Sequence, residues 1–156
     1  MKRAIALLLG AAPVPGREAI GVYQGWGAFR DLRPPRCFAI AQPFGLAKRL
    51  GGFAGVATWP GRGLRSSVHV RLSRPVDRGS TVTLSVGERR FALAARDRDA
   101  WAADAASDRA IVSAMRSGRS MSVEAVGPGR RPFADVYALA GAATAIDAAA
   151  LACAGR

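Results

Sequence analysis

The stretch "SSVHVRLS", residues 66–73, constrains the fold more than any other part of this chain. Val68, Val70 and Leu72 fall on one face and His69 and Arg71 on the other, the two-residue period of a half-buried strand. The same kind of short apolar or alternating run recurs along the first two thirds of the chain, each cut off by Gly or Pro. "IGVYQGWGAF" (20–29) reads as one strand, followed by a "DLRPP" turn into "RCFAIAQP" (36–43). "FAGVATW" (53–59) is closed by "PGRG". "TVTLSV" (81–86) and "ERRFALAA" (88–95) are separated only by Gly87 and Glu88 at their ends, which predicts a hairpin.

The period then changes. In "SDRAIVSAMRSG" (107–118) Ile111, Ala114 and Met115 recur at three- and four-residue spacing, as on one face of a helix. Ser107 or Asp108 is placed to cap its start, and Gly118 to end it in a left-handed turn. "SMSVEAV" and "PFADVYAL" predict two more strands around a "GPGRR" turn, and the alanine-rich "GAATAIDAAALAC" a terminal helix. The expected fold is mainly β: a single-domain β-sandwich or barrel-like antiparallel sheet with two short helices, about residues 107–118 and 141–153. A chain of 156 residues fills one core of this kind and not two.

The N-terminus reads as an export signal. Met1, Lys2 and Arg3 form a positive start, and "AIALLLGAA" (4–12) is an apolar run too short to span a membrane. The expected boundary sets residues 1–16 apart as a signal peptide and 17–156 as the β-rich domain. A cytosolic protein with an apolar start is the competing reading. Of the 23 Lys and Arg, only Lys2 and Lys48 are lysines, and the formal charge is +12. Such a preference for arginine fits a GC-rich coding bias. It also fits a basic face that attracts anionic polymers.

Enzyme chemistry finds little to work with. The one histidine, His69, lies on the outward face of its strand, away from any pocketed nucleophile. No nucleophile elbow, zinc-protease helix or phosphate loop is present. Two distant cysteines and one histidine do not make a structural zinc site, so neither metal nor cofactor is expected. Asp97, Asp99, Asp104 and Asp108 are interleaved with arginines and lack calcium-loop spacing. Three of them, Asp97, Asp99 and Asp104, remain the only basis for a small acid-site hydrolase. Arg62, Arg65, Arg71 and Arg74 follow Trp59 and form a candidate anion-binding face for envelope polymers such as lipopolysaccharide. No helix-turn-helix, zinc finger or RNP-type strand accompanies them, so nucleic acid is not an expected partner. Trp26, Phe29 and Trp59 are read as core side chains rather than ligand contacts.

Cys37 and Cys153 are the only cysteines. In an exported chain they predict one disulfide that pins the terminal helix to a strand. Two unpaired buried thiols are the alternative.

The order of a signal peptide, "GWGAF", "CFAIAQP", "AMRSGRSMSVEAV" and "FADVYALAGAATAIDAA" resembles the invasion-associated locus B family of alphaproteobacterial envelope proteins, as a divergent member. The resemblance implies a secreted or periplasmic β-rich domain, in some members associated with the outer membrane and with host-cell entry. It implies no catalytic residues. The expected function is therefore non-enzymatic, an accessory or binding role in the cell envelope.

Overall fold

The computed structural model describes residues 15–155. The expected signal segment lies outside that range except for Pro15 and Gly16. Ten strands run in chain order as β1 (Arg17–Tyr23), β2 (Trp26–Leu32), β3 (Pro35–Ala41), β4 (Phe53–Trp59), β5 (Leu64–Arg71), β6 (Val82–Val86), β7 (Arg89–Arg96), β8 (Asp99–Ala102), β9 (Ser120–Gly127) and β10 (Arg131–Ala138). Helix α1 (Gly45–Arg49) lies between β3 and β4, α2 (Ala105–Ser117) between β8 and β9, and α3 (Ala142–Ala152) follows β10. The strands form one antiparallel sheet in the order β1-β2-β3-β4-β5-β8-β7-β6-β9-β10.

That sheet is folded over on itself. β2 and β10 stand eight places apart in the order, about 38 Å across a flat sheet at ~4.8 Å per strand. Yet Trp26 Nε1 donates to the carbonyl oxygen of Ala138 at 2.8 Å, and Phe44 N donates to that of Val136 at 2.9 Å. The two halves face each other as in a sandwich, and β1 and β10 do not pair to close a barrel. The mainly β expectation is met, with a third helix, α1, that periodicity did not signal.

The inward positions follow the period of two. β3 turns Cys37, Ala39 and Ala41 to the core, β5 turns Val68 and Val70, β6 turns Val82, Leu84 and Val86, and β9 turns Met121, Val123 and Ala125. Helix α2 adds Ile111, Val112, Ala114 and Met115 over β5, β7 and β8. Helix α3 lies across β1 to β4, where its Ala142, Ala145 and Ala149 meet a floor of Ala28, Ala39, Ala41 and Ala54. Small side chains on both surfaces bring backbone close to backbone, which an all-leucine interface would prevent. The disulfide joins these layers: Cys37 and Cys153 are bonded, with Cα atoms 5.9 Å apart.

Three local expectations are corrected. Residues 20–29 form not one strand but a hairpin, β1 and β2, turning at Gln24 and Gly25 with Gln24 at φ +56°. Asp104, rather than Ser107 or Asp108, caps α2, its Oδ1 accepting from Ser107 N at 2.7 Å. Gly118 is extended, at φ −85° and ψ 161°, because the chain passes straight into β9. A Cβ there would collide with Val86 Cγ1, so glycine serves close packing and not handedness.

Candidate functional site

The outer face of the first half-sheet carries a groove of about 500 Å³. Its walls come from alternate residues of adjacent strands, a direct product of the pleat. β3 supplies Arg36, Phe38 and Ile40, the positions between its core residues. β4 supplies Phe53, Gly55, Ala57 and Trp59, β5 supplies Ser67 and His69, and β8 supplies Trp101. Gly55 and Ala57, paired opposite Ile40 and Phe38, put the smallest side chains in the floor. Larger ones stand at both ends.

One end is a stack of guanidinium and aromatic groups. Arg36 lies 4.3 Å from the centroid of Phe38 and 4.9 Å from that of Trp59. Arg17 covers Phe38 at 5.1 Å, and Arg62 covers Trp59 at 4.9 Å. Stacking occupies the flat face of a guanidinium and leaves its N–H edges to bind anions. Asp31 engages two of the three: Arg17 Nε donates to Oδ1 at 2.6 Å and Arg36 Nη2 to Oδ2 at 2.6 Å. The Arg17 hydrogen bond, with Arg36 adding to it, holds the Asp31 carboxyl below the usual carboxylate range against the opposing effect of partial burial. Arg62 has no carboxylate partner among the described residues.

The other end is an aromatic platform. His69 stacks on Trp101 with centroids 5.5 Å apart and meets the edge of Phe53 at 5.4 Å. Trp101 is 41% exposed, an open ring face at the mouth. His69 Nε2 donates to Asp99 Oδ1 at 2.9 Å, since a carboxylate only accepts, and Arg71 Nη1 donates to Oδ2 at 2.7 Å. His69 is thus half-buried and held, not the solvated side chain its strand pattern suggested. Among the described residues no hydroxyl hydrogen-bonds its ring.

The sequence candidates scatter. Arg62 lines the groove and Arg71 shares the sheet face of His69. Arg65 instead borders a separate hollow beside Ala150, Cys153 and Ala154, displaced by an irregularity in the β4–β5 pairing where Ser66 adopts φ +52°. Arg74 is exposed beyond the end of β5. Asp97, Asp99 and Asp104 do not converge. Asp97 is exposed in the β7–β8 turn, Asp99 is held by His69 and Arg71, and Asp104 is the α2 cap. No group of three metal-ligating side chains occurs among the described residues.

Of the aromatics read as core, only Trp26 is inside; Phe29 and Trp59 lie on the outer face. Trp26 and Ala28 take the inward positions of β2, so Phe29 must point out, where it stacks on Phe38 at 5.6 Å. Arg17 and Arg36 were not among the candidates. The signal for Arg36 lay in β3 itself: the alternation that turns Cys37, Ala39 and Ala41 to the core puts Arg36, Phe38 and Ile40 on the opposite face, where Phe38 is covered and Arg36 and Ile40 are half-buried.

The groove thus offers cationic N–H edges at one end and a stacking surface at the other, on rigid strands, a constellation suited to binding an anion that carries rings. No family model, curated protein or solved structure matches the chain.

Proposed function

We propose that this chain is an exported, non-enzymatic binding protein of the cell envelope, akin to the invasion-associated locus B family, in a periplasmic or secreted location with or without peripheral attachment to the outer membrane. Its ligands are anionic envelope polymers such as lipopolysaccharide. The observation that carries this reading is the groove in which Arg17, Arg36 and Arg62 stack against Phe38 and Trp59. Phosphate or carboxylate groups meet the guanidinium edges, and sugar rings lie on Trp101. The buried Cys37–Cys153 bond supports export, because disulfides persist in oxidising compartments. No helix among the described residues is long and apolar enough to cross a membrane.

Titration with purified lipopolysaccharide tests the binding. The wild-type chain binds with an affinity that falls as salt rises. R62A weakens it about tenfold, the equivalent of one charge-assisted contact of about 1.5 kcal/mol. Absence of wild-type binding, or an R62A variant that binds equally well, removes the reading. Cell fractionation with mass measurement tests the location: an extracytoplasmic product shortened at its N-terminus and carrying the bond is expected.

A further inference from the structure

The connections within the sheet are short: residues 24–25, 33–34, 87–88 and 97–98 each join antiparallel neighbours in two residues. The β3–β4 connection, residues 42–52, joins equally close neighbours and is far longer. A two-residue turn would serve the sheet, so the extra length serves something else.

What it builds is a fixed tip with its apolar side chains outside. Pro43 and Gly52 are buried, and α1 buries none of its residues. Phe44 is 62% exposed, Leu46 47% and Leu50 41%. The backbone is nonetheless tied down. Phe44 N donates to Val136 O, Gly52 N donates to Ala47 O at 3.0 Å, and Arg98 Nη2 donates to Leu50 O at 2.6 Å. Val136, itself exposed on β10, extends the apolar surface beside Phe44. Lys48 and Arg49 stand on the last turn of α1, and residues 42–53 include no acid.

We propose that the α1 tip docks the protein on an anionic phospholipid surface. Phe44, Leu46 and Leu50 enter the boundary between headgroups and acyl chains, and Lys48 and Arg49 pair with headgroup phosphates. A rigid apolar projection flanked by cations and free of carboxylates has the charge and shape of an interfacial anchor. A protein partner would need acidic groups around an apolar pocket; a lipid surface supplies both features everywhere. This surface is separate from the arginine–aromatic end of the groove.

Flotation with vesicles decides it. One set is phosphatidylcholine alone and the other carries phosphatidylglycerol as a minor component. Each variant is made in the full chain and in the chain from residue 15, which carries every described element, so that the apolar N-terminus does not mask the effect. The wild type from residue 15 floats with the anionic vesicles and not with phosphatidylcholine. The triple variant F44S/L46S/L50S does not float, with its circular dichroism unchanged. K48S/R49S partitions about 30-fold less, at ~1 kcal/mol for each basic residue near the surface. R62A, in the groove, floats as wild type does, so the two readings fail separately. Equal flotation of the triple serine variant overturns the proposal, as does absence of wild-type flotation. A wild type that dimerises through this patch in sedimentation, and is released by the same serines, overturns it in favour of a second copy.

Discussion

Trp26 Nε1 donates to the carbonyl oxygen of Ala138 at 2.8 Å, joining the second strand of the sheet to the last residue of the tenth. The donor side chain is fully buried, so the bond spans the middle of the folded sheet. W26F removes the donor, orphans the acceptor and leaves a void. Its expected cost is about 2–3 kcal/mol, read from urea unfolding. W101F, on the exposed platform, changes stability by less than about 0.5 kcal/mol. Equal effects at the two positions would mean that the Trp26 tie is not structural.

The disulfide closes a separation of 116 residues. On chain-entropy grounds its loss costs about 4–5 kcal/mol, with smaller values common in practice. Helix α3 should respond first, because its packing surface is mostly alanine. In C37S/C153S the amides of residues 142–152 exchange faster, while those of β9 and β10 keep their protection. Uniform loosening of both regions would contradict this.

A buried carboxylate holds the chain after β5. Asp135, 1% exposed, accepts from Ser73 N at 2.7 Å and from Ser73 Oγ at 2.5 Å. D135A leaves both donors buried and unpaired, at an expected cost of about 3 kcal/mol; S73A removes one bond and costs about 1 kcal/mol. Nearby, Tyr137 Oη has no protein partner among the described residues. Burial, with the Asp135 charge adding to it, pushes the phenol far above its ordinary value and keeps it neutral. Y137F should therefore raise stability by about 1 kcal/mol in thermal unfolding. A loss would mean that the hydroxyl is satisfied.

Acid sensitivity follows from carboxylates shifted in opposite directions. Hydrogen bonds from Arg17 and Arg36 lower Asp31, and the Ser107 amide lowers Asp104, from an ordinary value of 3.8. Their stabilisation is present above that value and is lost as pH falls through the depressed ones. Asp108 runs the other way. Burial raises it despite the hydrogen bond from Val68 N, so its contribution is present below 3.8 and lost as pH rises through the raised value. D31N should flatten the fall in stability between pH 5 and pH 2, values spanning the carboxylate range. D108N should stabilise the protein at pH 7 and leave it unchanged at pH 3, measured by guanidinium unfolding at each pH. Parallel pH profiles for both variants and wild type would refute the assignment.

The sequence by itself determined what depends on near neighbours along the chain. The alternation of Val68, Val70 and Leu72 fixed β5, the Gly87–Glu88 turn fixed the β6–β7 hairpin, and the spacing of Ile111, Ala114 and Met115 fixed the buried face of α2. Two cysteines and no third pointed to a bond between Cys37 and Cys153 over two unpaired thiols, and the structure holds that bond. Only the tertiary structure decided the groove. Arg17, Arg36, Trp59 and Trp101 are far apart in sequence and meet because β1 to β5 and β8 are neighbours in the sheet, an order that no local period encodes. The same folding scattered Arg62, Arg65, Arg71 and Arg74, which one short stretch of sequence had grouped: a pleat sends successive side chains to opposite faces, and the irregularity between β4 and β5 shifts them again.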